Sequence, residues 1–292
     1  MATIDSLPLV VITGPTASGK TALAIQLAKE YGGEIICADS RTVYRRMDIG
    51  TAKPTREERQ EVPHWGIDIV EPDQSFTAAD FKMYAIERIA AIRARGRIPF
   101  LVGGTGLYID AVVFDYQFGP PANVQRRAEL EKLSLEELHI YCNQHNIMLP
   151  QNSRNKRYVI RAIEQKGVRE KRRATPIENT YIVAIATDRE VLRARIRTRS
   201  EQLFQDGVVE EARLLGKKYG WNHESMTGNI YPLVYQYLHK TITETEMQQM
   251  FQTLDWRLAK RQLTWLKRNQ FAKWLSLEDA RDYLVQVLAN RS

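Results

Sequence analysis

Cysteine is scarce in this 292-residue chain: Cys37 and Cys142 are the only two. Two thiols make neither a disulfide framework nor a cysteine-ligated zinc cluster. No apolar run is long enough to cross a bilayer. The segment from Met1 to Leu9 lacks both the basic stretch and the apolar core of a signal peptide. There is no internal repeat and no low-complexity tract. A cytoplasmic protein in a reducing environment is the expectation. Charge, by contrast, is plentiful: Lys and Arg number 42 against 35 Asp and Glu, a net +7. That balance permits a polyanionic partner without identifying one. The length suffices for a substantial core, as one domain with an insertion or as two modest domains.

The most specific local signal is Gly14-Pro15-Thr16-Ala17-Ser18-Gly19-Lys20-Thr21, directly after the apolar run Leu7–Ile12. This is the G-x-x-x-x-G-K-[ST] phosphate loop, with a short strand leading in and a helical pattern leading out. The two glycines let the backbone curl so that successive N–H groups converge on phosphate oxygens at a helix N-terminus. Lys20 adds a point charge, and the Thr21 hydroxyl can ligate a divalent metal. The motif does not say which phosphate is bound.

Around it, strand and helix alternate. A strand is expected over Leu9–Thr13, a helix over Thr21–Tyr31 ended by Gly32-Gly33, and a strand over Glu34–Ala38. A polar segment follows to about Pro63. Then come a helix capped by Thr77 and Asp80 that stops at Gly96, and a strand over Ile98–Val102. Such alternation predicts an α/β fold, a P-loop-type parallel sheet flanked by helices with ligands at the carboxyl ends of its strands. Gly103–Tyr108 lies at one such end, either as a tight turn or as part of the site. From Gly119-Pro120-Pro121 the character changes to a charged helical stretch over Asn123–His145 and a helix near Lys156–Gln165. The latter opens a basic run holding Arg154, Lys156, Arg157, Arg161, Lys166, Arg169, Lys171, Arg172 and Arg173. A core strand over Tyr181–Thr187, a helix capped by Asp188, and helices over Glu244–Trp265 and Ser276–Ala289 complete the chain. The expected division is a core of residues 1–118 and 177–292, with helical C-terminal parts, and a helical insertion of residues 119–176.

Asp39 ends the second strand. It is either a turn cap or a carboxylate beside the phosphate site acting as metal ligand or general base. The basic run is either a solvated face or a phosphate grip, with Arg157 and Arg161 one helical turn apart. Lys260, Arg261, Trp265, Lys267, Arg268 and Trp274 interleave cations with aromatics, which suits nucleic acid, although the tryptophans fit a core equally.

Taken together, these residues resemble the bacterial-type tRNA dimethylallyltransferases, also called tRNA isopentenyltransferases. The match includes Gly14–Thr21, Asp39–Tyr44 with Met47, Asp48–Pro54, Pro63-His64, Ile67-Asp68, Phe81 and Gly103–Tyr108. It continues through Pro120-Pro121, Arg127, Arg157, Val159–Glu164, Arg195-Ile196, Arg199, Gly207, Glu211 and Ala259–Trp265. The resemblance implies transfer of a dimethylallyl group from its diphosphate to N6 of the adenosine 3′-adjacent to the anticodon in tRNA. It implies Asp39 as general base, with Lys20 and Thr105 completing the catalytic set. The phosphate loop and Arg195 would hold the diphosphate, with Mg2+ at Thr21. Contacts with the tRNA anticodon stem-loop are expected from Asp39, Ser40, Arg41, Thr42, Thr105, Arg127, Arg157, Arg161, Lys260, Arg261 and Gln262. The adenine must be extruded from its stack, at a cost of a few kcal/mol. No membrane partner is expected, and a monomer is.

The chain departs from the family pattern at Thr42 (usually Gln), Trp65 (usually His) and Tyr158 (usually Arg). It departs again at Asn229–Leu233, where a Gly and a basic residue are lost, and in a short insertion between Pro121 and Arg154. These changes bear on tRNA selectivity more than on diphosphate chemistry. The alternatives are an adenylate (AMP, ADP or ATP) isopentenyltransferase, a small-molecule kinase, and an RNA-binding protein without chemistry. The long basic segments and Lys260-Arg261-Gln262 favour tRNA.

Overall fold

The structure is a computed structural model describing residues 7–119, 123–166 and 171–289. Pro120, Pro121 and Arg169 lie outside the described residues. Two compact units are present, one of residues up to 114 and from 175 onward, the other of residues 115–174.

In the larger unit, β1 (Leu9–Thr13), β2 (Gly33–Cys37), β3 (His64–Trp65), β4 (Ile98–Gly103), β5 (Thr180–Ile185) and β6 (Lys273–Leu275) form one sheet. Its order is β3-β2-β4-β1-β5-β6, and every neighbouring pair is parallel. β1, β2 and β4 are buried along their whole length, as strands covered on both faces must be, which is why they read as unbroken apolar runs rather than alternating ones.

Helix α1 (Lys20–Tyr31) ends at Gly32, whose left-handed backbone (φ 66°) returns its N–H to the Ala28 carbonyl. The segment expected to be merely polar up to Pro63 contains α2 (Arg56–Glu61). Thr55 and Glu58 close a capping box around it. Helix α3 (Ala78–Ala94) starts with the same device, Thr77 and Asp80, and buries Phe81, Ala85, Ile89 and Ile92 on one face. Helix α4 (Gly106–Val113) follows β4 directly.

The smaller unit holds α5 (Val124–Lys132), α6 (Leu135–Gln144) and α7 (Lys156–Glu164). The stretch read as one helix over Asn123–His145 is two, because Ser134 caps a new helix through its own box with Glu137. A core of Leu130, Leu138, Cys142, Val159, Ile160 and Ile163 joins the three. The Gln117 N–H donates to Lys171 O at 2.7 Å, closing the unit's neck.

The larger unit continues with α8 (Arg189–Gln205), α9 (Val208–Tyr219), α10 (Tyr231–Leu238), α11 (Glu244–Leu266) and α12 (Leu277–Ala289). Helix α12 lays Ala280, Leu284 and Leu288 on α1 and the sheet. None of the described helices is long and apolar enough to cross a membrane.

Gly103 closes β4 against the Ala38 carbonyl: a Cβ there would sit 2.1 Å from that oxygen. Backbone cannot yield as a flexible side chain can, so Gly103→Ala is expected to destabilise the full chain by about 1–3 kcal/mol or more. Urea unfolding measures this, and an unchanged midpoint would contradict it.

Candidate active site

Three adjacent strands, β2, β4 and β1, deliver their carboxyl ends to one place. Register sets them level: Thr13 pairs with Gly103, and Cys37 with Val102. The phosphate loop therefore emerges beside Gly104-Thr105, and Thr105 beside Asp39. Thr105 N–H donates to Ala38 O (3.2 Å), and the Ser40 N–H donates to the Thr105 hydroxyl (3.0 Å). Asp39, Ser40 and Thr105 thus lie at one strand-end cluster. The Gly103–Tyr108 turn, for which two readings stood open, borders it.

In the loop, Lys20 Nζ donates to Pro15 O (3.1 Å). Burial pulls the Lys20 pKa down to about 8; the Asp39 carboxylate opposes that shift and Arg199 adds to it. The residue as a whole is half-buried, and a carboxylate and a guanidinium both act on the charge of its head group. Arg195 Nη1 donates to Ser18 O (3.3 Å), and Arg199 donates to the Thr16 hydroxyl. Ser18 Oγ and Arg199 Nε are buried without a hydrogen-bond partner among the described residues. Such groups are costly to leave unmet unless a ligand completes them. A hydroxyl and a guanidinium at a helix N-terminus match a phosphate. Arg199, four residues after Arg195 and so on the same helical face, contacts the phosphate loop through Thr16.

Of the two readings that its sequence position left open, the contacts of Asp39 show the turn cap. Its Oδ1 accepts the Arg41 N–H (2.8 Å) in a turn, while its charge acts on Lys20. Thr42 is buried, and its hydroxyl lies 3.4 Å from the Asp39 carbonyl as donor. The Arg41 guanidinium donates to Glu224 O (2.7 Å) and to the Thr227 hydroxyl (3.1 Å), bracing the 3-10 turn Glu224–Thr227. Nearby in sequence to Thr105, Tyr108 stacks on Phe81 with centroids 4.2 Å apart. Burial raises its phenol pKa, with Tyr44 and Asp39 adding to the effect.

The Asp48–Pro54 segment has a firm architectural basis. Lys53 is buried, and its ammonium donates to Tyr44 O (2.6 Å), Asp48 Oδ1 (2.7 Å) and Asp68 Oδ1 (2.6 Å), using all three of its hydrogens. Glu211 accepts the N–H groups of Asp48, Ile49 and Gly50 at 2.7, 2.7 and 2.9 Å. Tyr231, inside the departing Asn229–Leu233 segment, donates to Glu211 Oε1 (3.0 Å), and Asn229 donates to Asp255 Oδ1 (2.8 Å). These departures form an internal joint, and Pro232 sits in the first turn of α10, where proline costs nothing. Trp65 donates to Glu34 Oε2 (2.7 Å). A cavity of about 770 Å³ lies between this segment and α8, with Ile49, Lys53, Arg59, Arg195, Arg199 and Leu203 in its wall.

In the smaller unit, Arg127 makes a bidentate pair with Glu164 (2.8 and 2.7 Å), and Arg161 reaches the same carboxylate at 3.4 Å. Arg157 is exposed on α7. On α11, Lys260 and Arg261 are exposed, and Lys260 lies 6.0 Å from the Trp256 ring centroid. Gln262 turns inward instead, its Oε1 accepting the Thr16 N–H at 2.8 Å. Trp265, which fitted either core or nucleic acid, is half-buried and donates to Asp110 Oδ2 (2.7 Å). Both cysteines are buried and unpaired, and burial raises both thiols, Cys37 to about 12, which disfavours the reactive thiolate.

Lys20 is charged below about pH 8 and loses its charge as the pH rises through that value. The parent should therefore bind pyrophosphate more tightly than Lys20→Met at neutral pH, and its advantage should shrink by up to about tenfold per pH unit above that point. Calorimetric titration of both proteins measures this. An advantage that does not change with pH would contradict it.

The IPP transferase family model matches residues 42–269. The chain is 39% identical to a tRNA dimethylallyltransferase of Desulforudis audaxviator, the match covering 93% of each. It is 37% identical to one of Anoxybacillus flavithermus, over 93% of this chain and 91% of that one. The crystal structure of a tRNA isopentenylpyrophosphate transferase from Bacillus halodurans is 35% identical and superposes with a TM-score of 0.75, covering 97% of both chains. With a matching model over most of its length and relatives of this identity and coverage, the chain belongs to the IPP transferase family.

Proposed function

We propose that this protein transfers a dimethylallyl group from dimethylallyl diphosphate to N6 of the adenosine 3′-adjacent to the anticodon in tRNA, releasing diphosphate. The observation that carries the reading is the meeting of a phosphate loop, a carboxylate and the Thr105 turn at the ends of three neighbouring strands, in a chain whose relatives bear that activity in their names.

The residues divide the work by chemistry. The loop N–H groups, Ser18, Lys20, Arg195 and Arg199 receive the diphosphate and the charge that develops on it as the C1–O bond breaks. The bond from N6 to C1 forms on the opposite side of that carbon. The N6 proton passes to Asp39, whose charge is already beside Lys20. Thr105 faces the same cluster and orients the adenine against the donor.

Among the described residues no group of three or more His, Cys, Asp or Glu side chains could hold a metal unaided. That fits Mg2+, which takes one or two protein oxygens and completes its shell with phosphates and water. The Thr21 hydroxyl, in the first turn of α1, would be the protein oxygen that holds it. Bound there, Mg2+ would neutralise leaving-group charge. The smaller unit and the exposed face of α11 would supply the tRNA contacts, and a cytoplasmic monomer is the working form.

Asp39→Asn keeps the shape and the turn but cannot take the proton. Single-turnover prenylation of tRNA should slow by about 10²–10⁴-fold, with affinity for both substrates retained. A near-normal rate would leave Asp39 a turn residue only.

Arg157 bears on the tRNA half of the reading. Its replacement by Ala should weaken tRNA binding and shallow the log–log salt slope by about one, without moving pyrophosphate affinity. An unchanged slope would remove Arg157 from the tRNA surface.

A further inference from the structure

Gln262 and Trp265 lie one turn apart on α11 and fit against two glycines of the strand-four turn. The Gln262 Oε1 accepts the Thr16 N–H at 2.8 Å. Only the carbonyl end of the amide can do so, which turns Nε2 toward Gly104. A Cβ on Gly104 would meet that Nε2 at 2.4 Å, and the Gly14 carbonyl at 3.2 Å. Trp265 covers Gly106, where a Cβ would come within 2.1 Å of the indole, and its Nε1 is anchored on Asp110 of α4 at 2.7 Å. The indole thus fixes the register of α11 on α4. That register delivers the Gln262 amide into the seam between the phosphate loop and the turn carrying Thr105.

We infer that Gln262 is a positioning residue of the donor site: it sets the spacing between the phosphate loop and the Asp39–Thr105 edge. The consequence for catalysis rests on the prenyl-transfer reading above. Thr16 is gripped from two sides, through its N–H by Gln262 and through its hydroxyl by Arg199. The loop is therefore held in shape before any anion arrives. Transfer requires C1 to lie between the leaving oxygen, held by this loop, and the adenine N6, held near Asp39. A small drift between the two sides moves the reacting atoms out of line, and misplacement of about 1 Å costs about 10²-fold in rate. Its neighbours Lys260 and Arg261 point to solvent, so the Lys260-Arg261-Gln262 motif divides between an outward cationic face and an inward brace.

The test uses the full chain with Gln262→Met, which keeps the volume but loses the acceptor, and Gln262→Asn, which is too short to reach Thr16. Both should weaken pyrophosphate binding, measured by calorimetry, and raise KM for dimethylallyl diphosphate by about tenfold. Both should leave tRNA affinity within about twofold of the parent. In the parent without ligand, the Thr16 amide should exchange its hydrogen at least about tenfold more slowly than an unprotected amide. Three results would overturn the proposal: pyrophosphate affinity unchanged in both variants, loss of tRNA affinity with pyrophosphate binding intact, or an unprotected Thr16 amide in the parent. None of these measurements depends on turnover except KM. A parent that binds pyrophosphate yet prenylates nothing counts against the proposed reaction and not against the brace.

Discussion

The site depends on β4 lying between β2 and β1 in parallel register. From that one arrangement the ends of three strands come out at the same height, and three loops of different chemistry share a corner. The closeness of the packing is set by glycines. Gly103 admits the Ala38 carbonyl, Gly104 admits the Gln262 amide, and Gly106 admits an indole. Side chains at these places would part the strands or lift α11, and with either change the phosphate loop would separate from Asp39. The burial of β1, β2 and β4 makes this corner rigid, since a strand covered on both faces has no free side to shift into.

Electrostatics then act within a fixed frame. Lys20, Arg195 and Arg199 gather positive charge at a helix N-terminus, and Asp39 sets one carboxylate against it. The depressed pKa of Lys20 records the burial of its ammonium first, with Asp39 opposing the shift and Arg199 adding to it. The basic character of the rest of the chain is less uniform than its net charge implies. Arg127 and Arg161 share the buried Glu164 carboxylate, so each has some of its charge answered within the smaller unit. A guanidinium has five hydrogens, however, and a bidentate pair leaves others for phosphate. Such a pair also holds its arginine in one place, which favours shape recognition over general attraction.

Much of this corner was legible in the sequence because its signals are local. Gly14–Thr21 specifies its own backbone, apolar runs announce buried parallel strands, and Thr77 with Asp80 marks a helix start. Other features were missed for identifiable reasons. Strands β3 and β6 have two and three residues, too few to show any period. Helix α2 carried a readable capping box, but it buries none of its residues and so has no apolar stripe. The inward turn of Gln262 follows from the pitch of α11 on α4, a tertiary fact that no window of sequence contains. The same holds for Tyr231 and Asn229. Their departure from the family pattern looked like a change on the tRNA side, and only the packing shows them bonding to Glu211 and Asp255.

The account's central claim is that this corner joins a prenyl diphosphate to an adenine held in RNA. Incubating the protein and Mg2+ with labelled dimethylallyl diphosphate, tRNA and a mixture of AMP, ADP and ATP puts the two acceptor classes in direct competition. The account predicts label in tRNA, at the adenosine beside the anticodon, and none in the free nucleotides. Label in the nucleotides with tRNA left unmodified would contradict it.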